Sequence, residues 1–122
     1  MPGPKNVYRS ASGLSDVSFD LGGGKIQVDG SGLGDGVGAT LELQTTVIDA
    51  GNGIGGVLNV DGLLVADAHN GTGTVNTIEN FDAGNFTNDG KIQVADTSTL
   101  TLLNDTLNDY DSSATNPGTI QV

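Results

Sequence analysis

The chain has 122 residues, with no Cys and no Trp, and 35% of its residues are hydrophobic. That length suits one compact domain, and the lack of Cys excludes disulfides, thiol catalysis and the usual structural zinc sites. The formal net charge is -11, from 15 acidic residues against Lys5, Arg9, Lys25 and Lys91, which excludes the clustered basic surface that nucleic acid or an anionic membrane requires.

Gly is frequent, at 20 residues, and the apolar residues are mainly Val, Ile and Leu. This mixture disfavours helices and suits short strands between turns. No apolar run is long enough to span a bilayer. The opening "MPGPKNVYRS" has no apolar signal-peptide core, which points either to a piece of a longer secreted chain or to export by another signal.

In chain order, residues 1–15 read as an N-terminal extension or cap, and residues 16–122 as one repeat domain. "DVSFDL" (16–21) alternates as a leading strand. "GKIQV" (24–28) follows, with Ile26 and Val28 on one side of a strand and Gln27 on the other. "DGSGLGDGVG" (29–38) is turn material, rich in residues that tolerate positive φ. "ATLEL" (39–43) and "TTVID" (45–49) alternate again. "GVLNV" (56–60) and "DGLLV" (61–65) repeat the first two phrases. "GTVNTI" (73–78) resembles the first phrase, and "FDAGNFTNDG" (81–90) carries apolar residues between turn signals, so this interval holds an extra short piece. "GKIQV" returns at 90–94. "STLTL" (98–102) and "DTLND" (105–109) echo the second and third phrases, and "GTIQV" (118–122) restarts the cycle.

Self-similar strand–turn units of this kind predict a β-solenoid, a parallel β-helix of about four to five irregular coils. Like positions stack in such a fold. Ile26, Leu58, Ile92 and Ile120 are then expected to form one inward ladder, and Gln27, Asn59, Gln93 and Gln121 one outward polar ladder. Leu41, Leu43, Leu100 and Leu102 are expected inside. The alternative all-β fold is a β-sandwich, which also uses short alternating strands but does not need similar phrases at equivalent places.

The stretches "NDGKIQVADTSTLTLLNDTLND" (88–109) and "NPGTIQV" (116–122), with weaker copies at 24–49 and 55–65, resemble the repeats of bacterial surface and secreted adhesins of the filamentous-haemagglutinin and autotransporter-passenger type. The resemblance implies right-handed parallel β-helices, a bacterial cell-surface or secreted location, and a non-catalytic structural or adhesive role. In that role a coil pairs with neighbouring repeats of a longer chain, or end to end with another copy to form filaments. "MPGPKNVYRSASG" is placed to cap one end, while "GTIQV" offers an unfinished edge at the other. The alternatives are a module that binds host or matrix glycans and a polysaccharide-active β-helix enzyme.

The residues point away from an enzyme. His69 is the only His and has no nucleophile–base context around it. Asp16/Asp20, Asp29/Asp35, Asp105/Asp109/Asp111 and Glu79/Asp82 are the carboxylate pairs that sugar chemistry would draw on. "GSGLGDG" (30–36) precedes no helix-forming segment and so cannot cradle a phosphate as a dinucleotide fingerprint does. Calcium is the one expected ligand class, because Asp in Gly-rich turns supplies hard oxygen donors. Its candidate ligands are Asp29, Asp35, Asp105, Asp109 and Asp111. "GSGLGDGVG" (30–38) and "GNGIGGVLN" (51–59) only approximate the calcium-binding nonapeptide repeat, and each Asp has a turn-forming role as its simpler explanation.

Overall fold

A computed structural model of the chain describes residues 5–8, 13–15, 18–30, 38–51, 55–95, 97–109 and 118–122. Its strands are β1 (Lys5–Tyr8), β2 (Gly13–Ser15), β3 (Ser18–Asp20), β4 (Lys25–Val28), β5 (Thr40–Gln44), β6 (Val47–Asp49) and β7 (Val57–Val60). They continue with β8 (Leu63–Ala66), β9 (Val75–Glu79), β10 (Phe86–Asn88), β11 (Lys91–Val94), β12 (Thr99–Leu103), β13 (Leu107–Asn108) and β14 (Thr119–Gln121). Three sheets result: β1-β4-β7-β10-β13, β2-β5-β8-β11-β14 and β3-β6-β9-β12.

Every pairing between these strands is parallel. The chain visits the first, second and third sheets in rotation, and each strand pairs with the strand three places on. This is an all-β, solenoid-like arrangement. Among the described residues, the antiparallel pairing a sandwich would need occurs only as two isolated bridges, Gly30–Gly38 and His69–Thr72. Residues 1–15, expected as an extension or cap, include β1 and β2, which extend the first and second sheets. Asp16 and Val17 of the leading phrase lie outside the described residues.

The strand alternation builds the core. Ile26, Leu58 and Phe86 stack in register in the first sheet. Leu41, Leu64 and Ile92 do so in the second, and Ile48 with Ile78 in the third. All eight side chains are buried. Each contributes about 1.5–3 kcal/mol by leaving water. Phe81 and Phe86 fill the same interior with ring centroids 5.4 Å apart, within the range of favourable tilted packing.

The structure corrects the expected ladders. Ile26 and Leu58 belong to the first sheet, whereas Ile92 pairs with Leu64 and Ile120 in the second. Likewise Gln27 stacks on Asn59, but Gln93 stacks on Gln121 on another face. The reason lies in the interval from Gly56 to Gly90. It contains β7, β8, β9 and β10, one strand more than a full circuit, so the phrase lands one sheet further round. The surplus strand is β10, from "FDAGNFTNDG". The phrase cannot mark a face, because all three faces ask for the same alternation. "ATLEL" does pair with "DGLLV" as expected. "STLTL" instead forms β12 in the third sheet, beside β9, and "DTLND" supplies β13 to the first.

Leu43 is buried as expected, but Leu102 is 42% exposed. Its register partner Ile78 shows that Leu102 faces inward. It is uncovered because β12 is an edge strand of the third sheet. Ile120 on β14, at the edge of the second sheet, is 50% exposed for the same reason.

The Gly that opens three of the phrases, Gly56, Gly90 or Gly118, answers to a close approach. At the corner between the first and second sheets, the Lys91 N–H donates to the Gly62 carbonyl (2.9 Å) and the Thr119 N–H to the Gly90 carbonyl (3.0 Å). A Cβ on Gly90 would lie 2.1 Å from the Gly62 oxygen, and one on Gly118 1.9 Å from the Asn88 oxygen. Neither obstacle is a flexible side chain. Gly90→Ala is therefore expected to destabilise the fold by about 3 kcal/mol through overpacking. Gly22 has open space around it but a φ of +52°, so Gly22→Ala should cost only about 1 kcal/mol in left-handed backbone strain. Urea denaturation of the two variants checks the order, and equal losses would refute the stacking argument.

Candidate functional site

The described Asp residues distribute over all three corners, with Asp67 following β8 where the second sheet gives way to the third. Asp29, Asp61 and Asp89 follow β4, β7 and β10 where the first sheet gives way to the second, and Asp109 follows β13. The Asp29 carbonyl accepts from the Ala39 N–H (2.7 Å), and Asp61 Oδ2 accepts from Gln27 Nε2 (2.8 Å). Asp109 Oδ1 accepts from Asn88 Nδ2 (2.6 Å), while its carbonyl accepts from the Gly118 N–H (2.6 Å). Asp105 sits elsewhere, between β12 and β13. Asp29 and Asp109 share a corner but follow β4 and β13, three strand spacings or about 14 Å apart. Asp35 and Asp111 lie outside the described residues. Among the described residues no three His, Asp or Glu side chains gather as a metal cluster, so Asp29, Asp105 and Asp109 share no common centre.

The outward face of the first sheet carries a polar ladder in which Gln27, Asn59, Thr87 and Asn108 are in register. Asn59 Nδ2 donates to Gln27 Oε1 (2.8 Å), and the Thr87 hydroxyl donates to Asn59 Oδ1. Asn59 and Thr87 thus spend donors on their neighbours along the stacking direction, while Gln27 gives its own to Asp61.

The corner from the third sheet to the first repeats a second pattern. Asp20 Oδ1 accepts from the Gly22 N–H (3.1 Å), and Asp49 Oδ1 from the Gly51 N–H (2.9 Å). These side chains close their own turns. Above them Asn80 Nδ2 donates to Asp49 Oδ1, and Asn104 Nδ2 to Asn80 Oδ1, both at 3.0 Å. Asn80 and Asn104 adopt φ of 67° and 55°, a conformation Asn tolerates better than most residues.

Inside the stack, Asn76 is fully buried on β9. Its Oδ1 accepts from the Thr46 N–H (2.9 Å), and its Nδ2 donates to the Thr74 hydroxyl (2.9 Å) and the Thr99 carbonyl (3.3 Å). One amide thus ties the approaches to β6, β9 and β12 together. Pattern reading misses it because an inward Asn looks like a break in alternation. The only sequence signal is the polar residue between Val75 and Thr77 in an otherwise strand-like phrase.

Of the carboxylate pairs, Asp16, Asp35 and Asp111 fall outside the described residues. Asp105 and Asp109 are separated by β13, with Asp105 bonded to the Phe81 backbone and Asp109 to Asn88. Glu79 and Asp82 stand at the corner between the third and first sheets. His69 is exposed at a hairpin, its Nδ1 3.1 Å from Gln44 Oε1. What the described polar groups do chemically is brace neighbouring strands.

No family model matches the chain, and no curated protein or solved structure matches it.

Asp105 is the titrating group with a structural task. Its Oδ1 accepts from the Phe81 N–H (3.0 Å), while its Oδ2 is buried with no hydrogen-bond partner. Burial pushes the carboxyl above the usual Asp range, the Phe81 and Leu103 backbone amides pull it down, and the Glu79 charge pushes it up. The folded chain therefore takes up this proton before the unfolded chain does. The cost of the ionised carboxylate is present at neutral pH and is relieved as pH falls through the raised folded value toward the ordinary one. Asp105→Asn keeps the acceptor for Phe81 and removes the charge. It is expected to be more stable than the parent at pH 7, with the difference shrinking on acidification, as measured by urea midpoints across pH. A difference that grows on acidification would contradict this assignment.

Proposed function

We propose that this chain is a non-catalytic structural and adhesive module of an extracellular bacterial surface protein. Its circuits stack four to five deep into a stiff rod, and the rod extends end to end by strand pairing. The observation that carries this reading is where the polar side chains are spent. Gln27, Asn59, Thr87, Asn76, Asn80 and Asn104 each bond to a residue of a neighbouring circuit. A stack in which each circuit serves mainly to hold the next gains length without needing a new core.

The end of the stack supports the same reading. β12, β13 and β14 are the edge strands of the three sheets on one side. Leu102 and Ile120 face inward there, and among the described residues no strand pairs beyond theirs, so they are 42% and 50% exposed. A further circuit, from neighbouring repeats or from a second copy, would cover them while continuing all three parallel sheets. The acidic surface keeps such stacks soluble.

The proposal predicts a mass that rises with protein concentration in light scattering, with filaments in electron micrographs. Leu102→Lys and Ile120→Lys each lower that association without unfolding the chain. A parent chain that stays monomeric at high concentration and binds a soluble polysaccharide on a glycan array would move the function to carbohydrate recognition.

A further inference from the structure

The chain contains three Asn-x-Thr triads: Asn70-Gly71-Thr72, Asn85-Phe86-Thr87 and Asn104-Asp105-Thr106. This is the acceptor pattern for N-linked sugars, and three short triads in an Asn- and Thr-rich chain carry little weight as sequence. The fold treats them very differently.

Asn85-Phe86-Thr87 is locked into the first sheet. Phe86 is fully buried, the Thr87 hydroxyl donates to Asn59, and the Asn85 carbonyl accepts from the Leu58 N–H (2.8 Å). No enzyme cleft can surround that triad in the folded chain. At Asn104-Asp105-Thr106, the amide nitrogen that would react already donates to Asn80, and Asp105 holds the Phe81 backbone.

Asn70-Gly71-Thr72 stands apart. Elsewhere the chain crosses from the second sheet to the third in the short spans 45–46 and 95–98, but here it uses residues 67–74. The surplus builds a hairpin, with the His69 N–H donating to the Thr72 carbonyl (2.9 Å) and the Thr72 N–H to the His69 carbonyl (3.0 Å). Asn70 and Gly71 occupy its tip with φ of 51° and 76°, the two positive values a tight type I′ turn requires. Gln44 braces the base, donating to the Ala68 carbonyl (2.9 Å) and approaching the His69 ring. Asn70, Gly71 and Thr72 are all exposed. The hairpin is a rigid pedestal that holds one acceptor triad off the wall of the stack.

We infer that Asn70 is an acceptor site for an N-linked sugar. The donor class is a sugar activated by a phosphate group at its anomeric carbon. Asn70 Nδ2 forms a bond to that carbon as the carbon–oxygen bond to phosphate breaks. The phosphate leaves with the bonding pair, the amide gives one proton to a base of the transferring enzyme, and nothing is oxidised or reduced. A sugar at this tip projects into solvent and disturbs no described contact of the core. The inference concerns access to the folded chain and does not depend on whether the circuits stack into a rod.

The test modifies the full chain, folded and urea-unfolded, in two arms. One uses UDP-glucose with a soluble Asn-directed glucosyltransferase, and the other a lipid-pyrophosphate oligosaccharide with a membrane oligosaccharyltransferase. Peptide mass spectrometry reads occupancy. In the folded chain, Asn70 is expected to be modified about tenfold or more above Asn85 and Asn104, since the latter two need local unfolding first. In the unfolded chain that preference collapses. Asn70→Gln and Thr72→Val each abolish labelling of the folded protein. The arm that labels identifies the donor. A folded chain unlabelled at Asn70 in both arms while the unfolded chain is labelled there, or one labelled equally at Asn85, overturns the assignment.

Discussion

Strand spacing along the stack, about 4.8 Å, governs this molecule. Where the chain turns from the first sheet to the second, that spacing brings the backbone of one circuit against the Cα of the next. The result is a column, Gly62, Gly90 and Gly118, in which a methyl group has nowhere to go. The corner sets the register of the second sheet, since the amide after each Gly bonds to the circuit below. Register in turn decides which residues face inward, because a slip of one residue would turn Ile26, Leu41 and Ile92 out to solvent.

The rest of the polar chemistry follows from the same geometry. Side chains at like positions of neighbouring circuits are close enough to bond, so short amides and hydroxyls are favoured. Gln27–Asn59–Thr87 outside, Asp49–Asn80–Asn104 at one corner and Asn76 inside are three solutions to one problem. Parallel strands that stack like on like would otherwise tolerate several registers, and these bonds penalise all but one. The buried amide of Asn76 is the most demanding of them, since losing it strands partners in a dry interior.

Much of this was legible in the sequence. Period-two alternation in "GKIQV", "ATLEL" and "GVLNV" marked the strands and their inward residues, and the recurrence of the phrases pointed to parallel stacking. Assignment of phrase to face was not legible. Three sheets impose one and the same pattern, so "GKIQV" fits any of them, and only the number of strands between copies tells them apart. That number depends on β10, a three-residue strand in a stretch dominated by turn residues. The Asp residues are a separate case: their type and Gly neighbours suit calcium and turn closure equally, and the bonds of Asp20 and Asp49 to their own turns show turn closure at those two positions. Inward polar residues such as Asn76 and Asn88 were invisible to any reading that equates core with apolar.

The extra strand before the second "GKIQV" has one more effect. Lys25 and Lys91 sit in the same five-residue phrase, yet they stand on different walls of the prism. The same holds for Gln27 and Gln93. The second wall thus stacks the two late copies, Gln93 on Gln121, while the first wall stacks Gln27 on Asn59. The walls are chemically out of phase with one another, while the interior keeps its rhythm throughout.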